Sequence, residues 1–299
     1  MTEAEFLLHL RRLPLHPGAR GLGDDAAVVG PFVLTTDTLV EGVHFLSGDP
    51  AGDVAWKLLA VNLSDLAAKG AVPEGVLLNY PLSEPGWDAA FLGGLAEALA
   101  AFDCPQIGGD TVSLPEGAPR VLTMTVLGRD AAAPARSGAR AGDALWVTGT
   151  IGDAGAGLRI ARGEPGPRAL AERYRRPTPR LAEGRRLAPV VQAMCDVSDG
   201  VLIDATRMAA VSGLSVAIDL AALPLSSDYL AFAGATVAAH LAAATAGDDY
   251  ELLFAFAADE EPPVAAYRIG IFAAGKGLTL TFQGKPVPLP PSLGWEHRG

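Results

Sequence analysis

The stretch "DAAVVGPFVLTTDTLVEGVHF", residues 25–45, decides the fold. "DAAVVGPFVLTT" (25–36) is rich in apolar and β-branched residues around a Gly30-Pro31 turn, so two strands are predicted there. Beyond Thr36 the strand character fades. Asp37, Glu41 and His44 arrive in quick succession, framed by Leu39, Val40, Val43 and Phe45. Two carboxylates and an imidazole at the end of a buried strand are either a solvated turn or a site for a metal or a phosphate. His44, beside Phe45, reads equally well as a satisfied core histidine.

Outward from this stretch, helices and strands alternate. Residues 3–13 read as a short amphipathic helix. Residues 53–71 read as a longer one, with Val54, Leu58, Val61 and Leu66 near helical spacing and Gly70 at the end. A strand is predicted over 74–82, a helix over 87–103, and a strand over 120–129. Residues 105–110, "PQIGGD", lead through Gly108-Gly109 to Asp110. Composition then shifts to "DAAAPARSGARAGD" (130–143), a Pro/Gly/Arg linker that divides the chain into domains of 1–136 and 137–299. The second part opens with a strand, a glycine-rich turn and a helix start (144–161), and helix continues into the 180s. It passes through an acidic turn into a helix (194–213), then a strand, helix over 227–246, and a β-rich tail. Mixed elements in both parts predict an α/β or α+β protein in two domains.

The bulk numbers agree. The chain has 299 residues, 49% hydrophobic and 19% charged, which suits two globular domains. Its start is acidic before it is apolar, unlike a secretory signal, and its most apolar long stretch, 229–246, is Ala-rich and holds His240. Cys104 and Cys195 stand far apart without a CxxC partner and read as buried thiols. A cytoplasmic protein without a membrane span is expected. A formal net charge of −11 argues against a nucleic-acid partner. Lysine is limited to Lys57, Lys69, Lys276 and Lys285.

The acids are placed unusually. Asp24-Asp25, Asp37, Asp65, Asp110, Asp196, Asp199 and Asp248-Asp249 recur at junctions beside Gly, Ser, Thr or small apolar residues. Any one of them suits a cap or a turn. Asp65 does not, because it lies inside a helical pattern among Leu63, Leu66 and Ala67. An unpaired carboxylate there costs several kcal/mol unless a cation is held. Oxygen ligands without cysteine, and with few histidines, point to Mg²⁺ rather than zinc. Several aspartates could hold several Mg²⁺ ions along a polyphosphate, as phosphoryl transfer requires. No GxxxxGK[ST] loop occurs. "GTIGDAGAG" (149–157) has the wrong spacing for a dinucleotide fingerprint, so its glycines read as turn and packing residues.

The ordered set "GLGDDAAV", "TTDTLVEGVHF", "LAVNLSDLAAKGAVP", "IGGDT", "RSGARAGD", "VTGTIGDAGAGL", "RYRRPTPRL", "DVSDGVLIDATRMA" and "GDDYELLF" resembles the thiamine-monophosphate kinases, within the aminoimidazole ribonucleotide synthetase superfamily. The resemblance runs from Gly21 to about Trp295. It implies ATP-dependent phosphorylation of thiamine monophosphate, with ATP as co-substrate and several Mg²⁺ ions. It also implies a homodimer whose N-terminal mixed sheets form a barrel-like core, with an α/β domain outside. By motif it assigns Asp25, Thr35, Thr36, Asp37, Asp65, Asp110, Asp196 and Asp199 to metal. Gly109, Asp110, Arg136 and Ser198 fall to ATP, and His44, Asp248 and Trp295 to the second substrate. No side chain is implied as a general base. Asp248 stands where many relatives carry Glu, and Trp295 where others carry Phe or Tyr. Selenophosphate synthetases share the superfamily but carry a reactive Cys or selenocysteine near their N-terminus, and residues 1–30 here have none. Hydrogenase-maturation dehydratases, purine-pathway synthetases and a non-catalytic nucleotide-binding regulator are the remaining alternatives.

Overall fold

A computed structural model describes residues 3–129 and 133–297; the first three positions of the expected linker, 130–132, lie outside them. The elements of the first half are α1 (Glu3–Leu10), β1 (Ala27–Val29), β2 (Phe32–Val40), α2 (Ala51–Ala68), β3 (Val72–Leu82), α3 (Pro85–Ala101), β4 (Gln106–Ser113) and β5 (Val121–Arg129). Their strands form an open five-stranded sheet, β1-β2-β5-β3-β4, antiparallel except for the β3/β4 pair. The hairpin around Gly30-Pro31 is as predicted. "IGGD" is more than a connector, because it lies inside the edge strand β4.

The second half holds β6 (Ala144–Val147), α4 (Asp153–Ala161), α5 (Arg168–Arg175), α6 (Leu181–Leu187), β7 (Ala193–Asp196), α7 (Val201–Val211) and β8 (Leu214–Asp219). It continues with α8 (Ser227–Ala233), α9 (Val237–Ala244), β9 (Leu252–Phe256), β10 (Tyr267–Ala274), β11 (Gly277–Phe282) and β12 (Lys285–Val287). Seven strands form a second open sheet, β12-β11-β8-β10-β6-β9-β7. The helix predicted over 227–246 is two. Gly234, at φ +77°, ends α8, and the Thr236 hydroxyl accepts the Ala239 N–H to start α9.

Each sheet is open within the chain, so one chain does not form the barrel-like core that the resemblance implies. One face of the first sheet is covered by α2 and α3. On β2, Val33, Thr35 and Leu39 are buried, while Thr36 and Thr38 point to the other, open face. There Thr38 and Thr123 hydroxyls pair at 2.8 Å, and Thr125 donates to Thr36 at 3.0 Å.

Helix α2 is the element on which the polar side chains of both halves converge. It is buried almost all round, because it packs on the first sheet with one side and meets the second half with another. Its end closes with the Gly70 N–H on Ala67 O and the Ala71 N–H on Leu66 O, both 2.9 Å, while Gly70 adopts φ +67°. Ala67 and Ala68 of α2 share a core with Trp146, Leu187, Met194 and Phe254 of the second half. At that crossing a Cβ on Gly184 would stand 2.0 Å from the Ala67 carbonyl, so α6 approaches α2 only through a glycine. Among the described residues, no helix is long and apolar enough to cross a membrane.

Candidate active site

The polar residues of α2 face in several directions, and each reaches a different segment. Asp65 receives the Thr35 hydroxyl of β2 on its Oδ2. Ser64 donates to Asp196 Oδ2, at the end of β7, at 2.7 Å. The Asn62 amide oxygen accepts the Asp37 N–H at 3.1 Å. Lys69, just past the helix, is fully buried; it pairs with Asp24, lies 2.7 Å from Asp25 Oδ2, and touches the Pro134 and Met194 carbonyls at 3.2 Å.

The result is a cluster of acids where the two halves meet. Carboxylate oxygens of Asp25, Asp65 and Asp196 lie within 4.8 Å of one another. As three anions they would repel by about 3 kcal/mol per pair at an effective dielectric near 20. Their proton affinities show the strain. Burial, then the charge of Asp25, pushes Asp37 up to about 6. Burial, then Asp37, Asp196 and Asp25, pushes Asp65 well above the usual range, and burial with Asp25 does the same for Asp196. Burial also pushes at Asp25, but Arg136 and Lys69 outweigh it and hold this carboxylate below its ordinary value. The donor set is oxygen only, carboxylates and the Thr35 hydroxyl, which fits Mg²⁺. Asp25 Oδ2 already faces the Lys69 ammonium at 2.7 Å, so a metal ion would share that oxygen with Lys69.

Not every expected residue joins the cluster. The Thr36 hydroxyl donates to Met124 O at 3.1 Å on the opposite face of β2. Gly109 and Asp110 lie on the exposed strand β4, where Gly109, at φ +147°, presses its backbone against Leu78; a Cβ there would meet the Leu78 carbonyl at 1.9 Å. Arg136 is bound to Asp25, but its Nε is buried without a partner. Ser198 and Asp199 form the turn after Asp196; Asp199 pairs with Arg207, and the Ser198 carbonyl accepts the Asp248 N–H at 2.8 Å.

His44, Asp248 and Trp295 gather at a second place. The His44 Nδ1 accepts the Val40 N–H at 3.0 Å, which fixes the ring. Burial, then the neighbouring His297, lowers its proton affinity. His297 lies 5.4 Å from His44, ring to ring, and Trp295, half exposed, donates its backbone N–H to the Asp199 carbonyl at 2.9 Å. A small pocket lined by Thr150, Asp153, Arg173, Thr178, Asp248 and Asp249 opens beside Asp248.

Several site residues received no individual role from the sequence. Asp249, half-buried, takes the Gly152 N–H on both oxygens at 2.9 Å and so caps α4. Asp204 accepts the Asp199 and Gly200 N–H groups at 3.2 Å, and burial raises it to about 7. Lys57 and Lys69 are the two lysines in or beside an apolar helix, and that is the signal the sequence offers for them. The glycine-rich turn packs as expected, since a Cβ on Gly149 would stand 2.0 Å from the Glu251 carboxylate.

The chain is also similar to known proteins along most of its length. The family model for AIR synthase related protein, N-terminal domain, matches residues 23–129, and that for the C-terminal domain matches 140–283. A thiamine-monophosphate kinase of Caulobacter vibrioides is 39% identical over 323 residues, across 99% of this chain and 91% of its own. That of Salmonella typhimurium is 38% identical over 249 residues, 78% of this chain and 75% of its own. A solved structure of AaThiL complexed with AMPPCP and TMP superimposes with a TM-score of 0.86 at 30% identity, covering 99% of this chain and 97% of that one. Thiamine-monophosphate kinase of Stenotrophomonas maltophilia gives 0.77 at 35% identity, covering 96% and 99%. The hydrogenase maturation protein HypE, at 0.71 and 19% identity over 94% and 95%, shares the fold alone.

Proposed function

The chain belongs to the AIR synthase related proteins and, within them, to the thiamine-monophosphate kinase family, and from that premise we propose that it transfers the terminal phosphoryl group of ATP to thiamine monophosphate, forming thiamine diphosphate. The observation that carries this reading is the acid cluster of Asp25, Asp65 and Asp196, within 4.8 Å, in which Lys69 and Arg136 pair with Asp25 while Asp65 and Asp196 have no cationic partner among the described residues. A relative of the same fold was solved with AMPPCP and TMP, a non-transferable ATP analogue beside a phosphate acceptor.

In this reading Asp25, Asp37, Asp65 and Asp196 hold Mg²⁺ with Thr35, and Asp199 and Asp110 extend the set. Thr36 can contribute only its main chain, because its hydroxyl is turned to the far face. Gly109, Asp110, Arg136 and Ser198 contact the nucleotide, and the unpartnered Arg136 Nε is a donor suited to a phosphate. Mg²⁺ would supply charge neutralisation between two anions that must approach in line. His44, Asp248 and Trp295 orient the thiamine part, with the Trp295 ring suited to a cationic heterocycle. No side chain need act as base, since a phosphate monoester with a second pKa near ~6 is already an anion at neutral pH.

The reading extends to assembly and place. The open face of the first sheet and the exposed strand β4, with Ile107 and Val112 outward, suit a second copy that completes a barrel-like core. The division into 1–136 and 137–299, with work in the cytoplasm, belongs to the same proposal.

The test is whether ATP is consumed only when thiamine monophosphate is added. Chiral γ-phosphate should emerge inverted. Net retention, or a phosphorylated Asp or His after ATP alone, would contradict direct transfer.

A further inference from the structure

Lys57 is 2% exposed and lies on α2 among apolar residues. Its ammonium has three N–H bonds and three partners. It donates to Asp248 Oδ2 at 2.7 Å and to the His44 carbonyl at 3.1 Å, and it stands 4.3 Å over the Tyr174 ring. These partners come from the loop after β2, the segment before β9, and α5. The Lys57 ammonium thus bridges His44 and Asp248, which come from different halves of the chain.

We propose that Lys57 is the positioning residue that sets the distance between the His44 loop and the Asp248 carboxylate, and so fixes the width of the subsite for the thiamine part; this rests on the functional reading above. Three observations support it. Lys57 is buried but its partner Asp248 is 32% exposed, and such a pair adds little net stability over an apolar pair of the same shape, so stability alone does not account for a lysine here. Asp248 is held on its other oxygen as well, by the Tyr250 hydroxyl at 3.0 Å, so the carboxylate is oriented from two sides. Asp248 and Tyr250 adopt φ +62° and +52°, a costly backbone for non-glycine residues that persists only where the surroundings over-determine it. The aspartate side chain is short, and a fixed cation behind it holds it at one reach.

The test compares Lys57→Met and Lys57→Arg with the wild type. Methionine keeps most of the apolar stem and removes the ammonium. Arginine keeps the charge and displaces the carboxylate, so one variant remains if the other does not fold. Both should raise KM for thiamine monophosphate at least tenfold, leave KM for ATP within twofold, and leave the Mg²⁺-dependent rise in melting temperature unchanged. In a Lys57→Met background, Asp248→Asn should add less than threefold, because the two act through one contact. An unchanged KM for thiamine monophosphate, a parallel rise in both KM values, or full additivity with Asp248→Asn would overturn the assignment while leaving the kinase reading intact. A wild-type chain that does not bind thiamine monophosphate by calorimetry would overturn both.

Discussion

The Ser64 hydroxyl donates to the Asp196 carboxylate at 2.7 Å across 132 positions of sequence. One position on, Asp65 is bonded by Thr35 of β2. Two successive residues of α2 therefore draw β2 and β7 onto a single point. The acid cluster exists only when both halves are folded together, and its chemistry should be sensitive to each contributor.

If Asp37 binds Mg²⁺ as proposed, Asp37→Asn should lower kcat/KM by roughly a hundredfold or more, since a ligand charge is lost with little change of shape. Circular dichroism should show an unaltered fold. Wild-type turnover in a folded variant would make Asp37 a turn residue.

Asp37 also sets a pH dependence. Its folded value, about 6, lies above the ordinary 3.8, so the folded state binds its proton more tightly. The resulting stability is fully present below pH 3.8 and is lost as pH rises through about 6. Metal needs the anion, so Mg²⁺ affinity should rise over the same window. Thermal melts with and without Mg²⁺ between pH 5 and 8 check this; the stabilisation by Mg²⁺ should grow with pH.

His44→Ala should raise KM for thiamine monophosphate more than KM for ATP. It should also cost ~1 kcal/mol of stability, because the Val40 N–H loses its acceptor. Equal effects on both constants would return His44 to a structural role.

Asp249→Ala should destabilise by ~1–2 kcal/mol in denaturant melts, because it uncaps α4 at Gly152. A change below ~0.5 kcal/mol would show that the N–H finds another acceptor.

Leu77, 39% exposed, stands on β3 beside the open face. If a second copy covers that face, the wild type should be dimeric by light scattering at micromolar concentration, and Leu77→Glu should shift it toward monomer. A monomeric wild type would refute the shared core.

Much of this is legible in the sequence for physical reasons. Asp65 stands out because a carboxylate inside a helix of Leu63, Leu66 and Ala67 has no cheap explanation. The β1–β2 hairpin is plain because Gly30 sits at φ +59°, a turn conformation glycine adopts without strain. The halves of the site are harder to join. Lys57 and Asp248 lie 191 positions apart, and no local pattern reports a contact over that distance. Thr35 and Thr36 are identical in composition and motif, but a strand sends adjacent side chains to opposite faces, so only one reaches Asp65. Gly109-Asp110 resembles a phosphate turn because local sequence does not show that β4 will be an edge. The break at Gly234 is hidden because the Ala-rich pattern continues across it.

The most direct measurement is the amount of thiamine diphosphate formed from thiamine monophosphate, ATP and Mg²⁺, monitored by chromatography. The account expects one thiamine diphosphate per ATP consumed, none in EDTA, and recovery when Mg²⁺ is restored. ATP turnover without thiamine diphosphate, or formation that persists in EDTA, would contradict it.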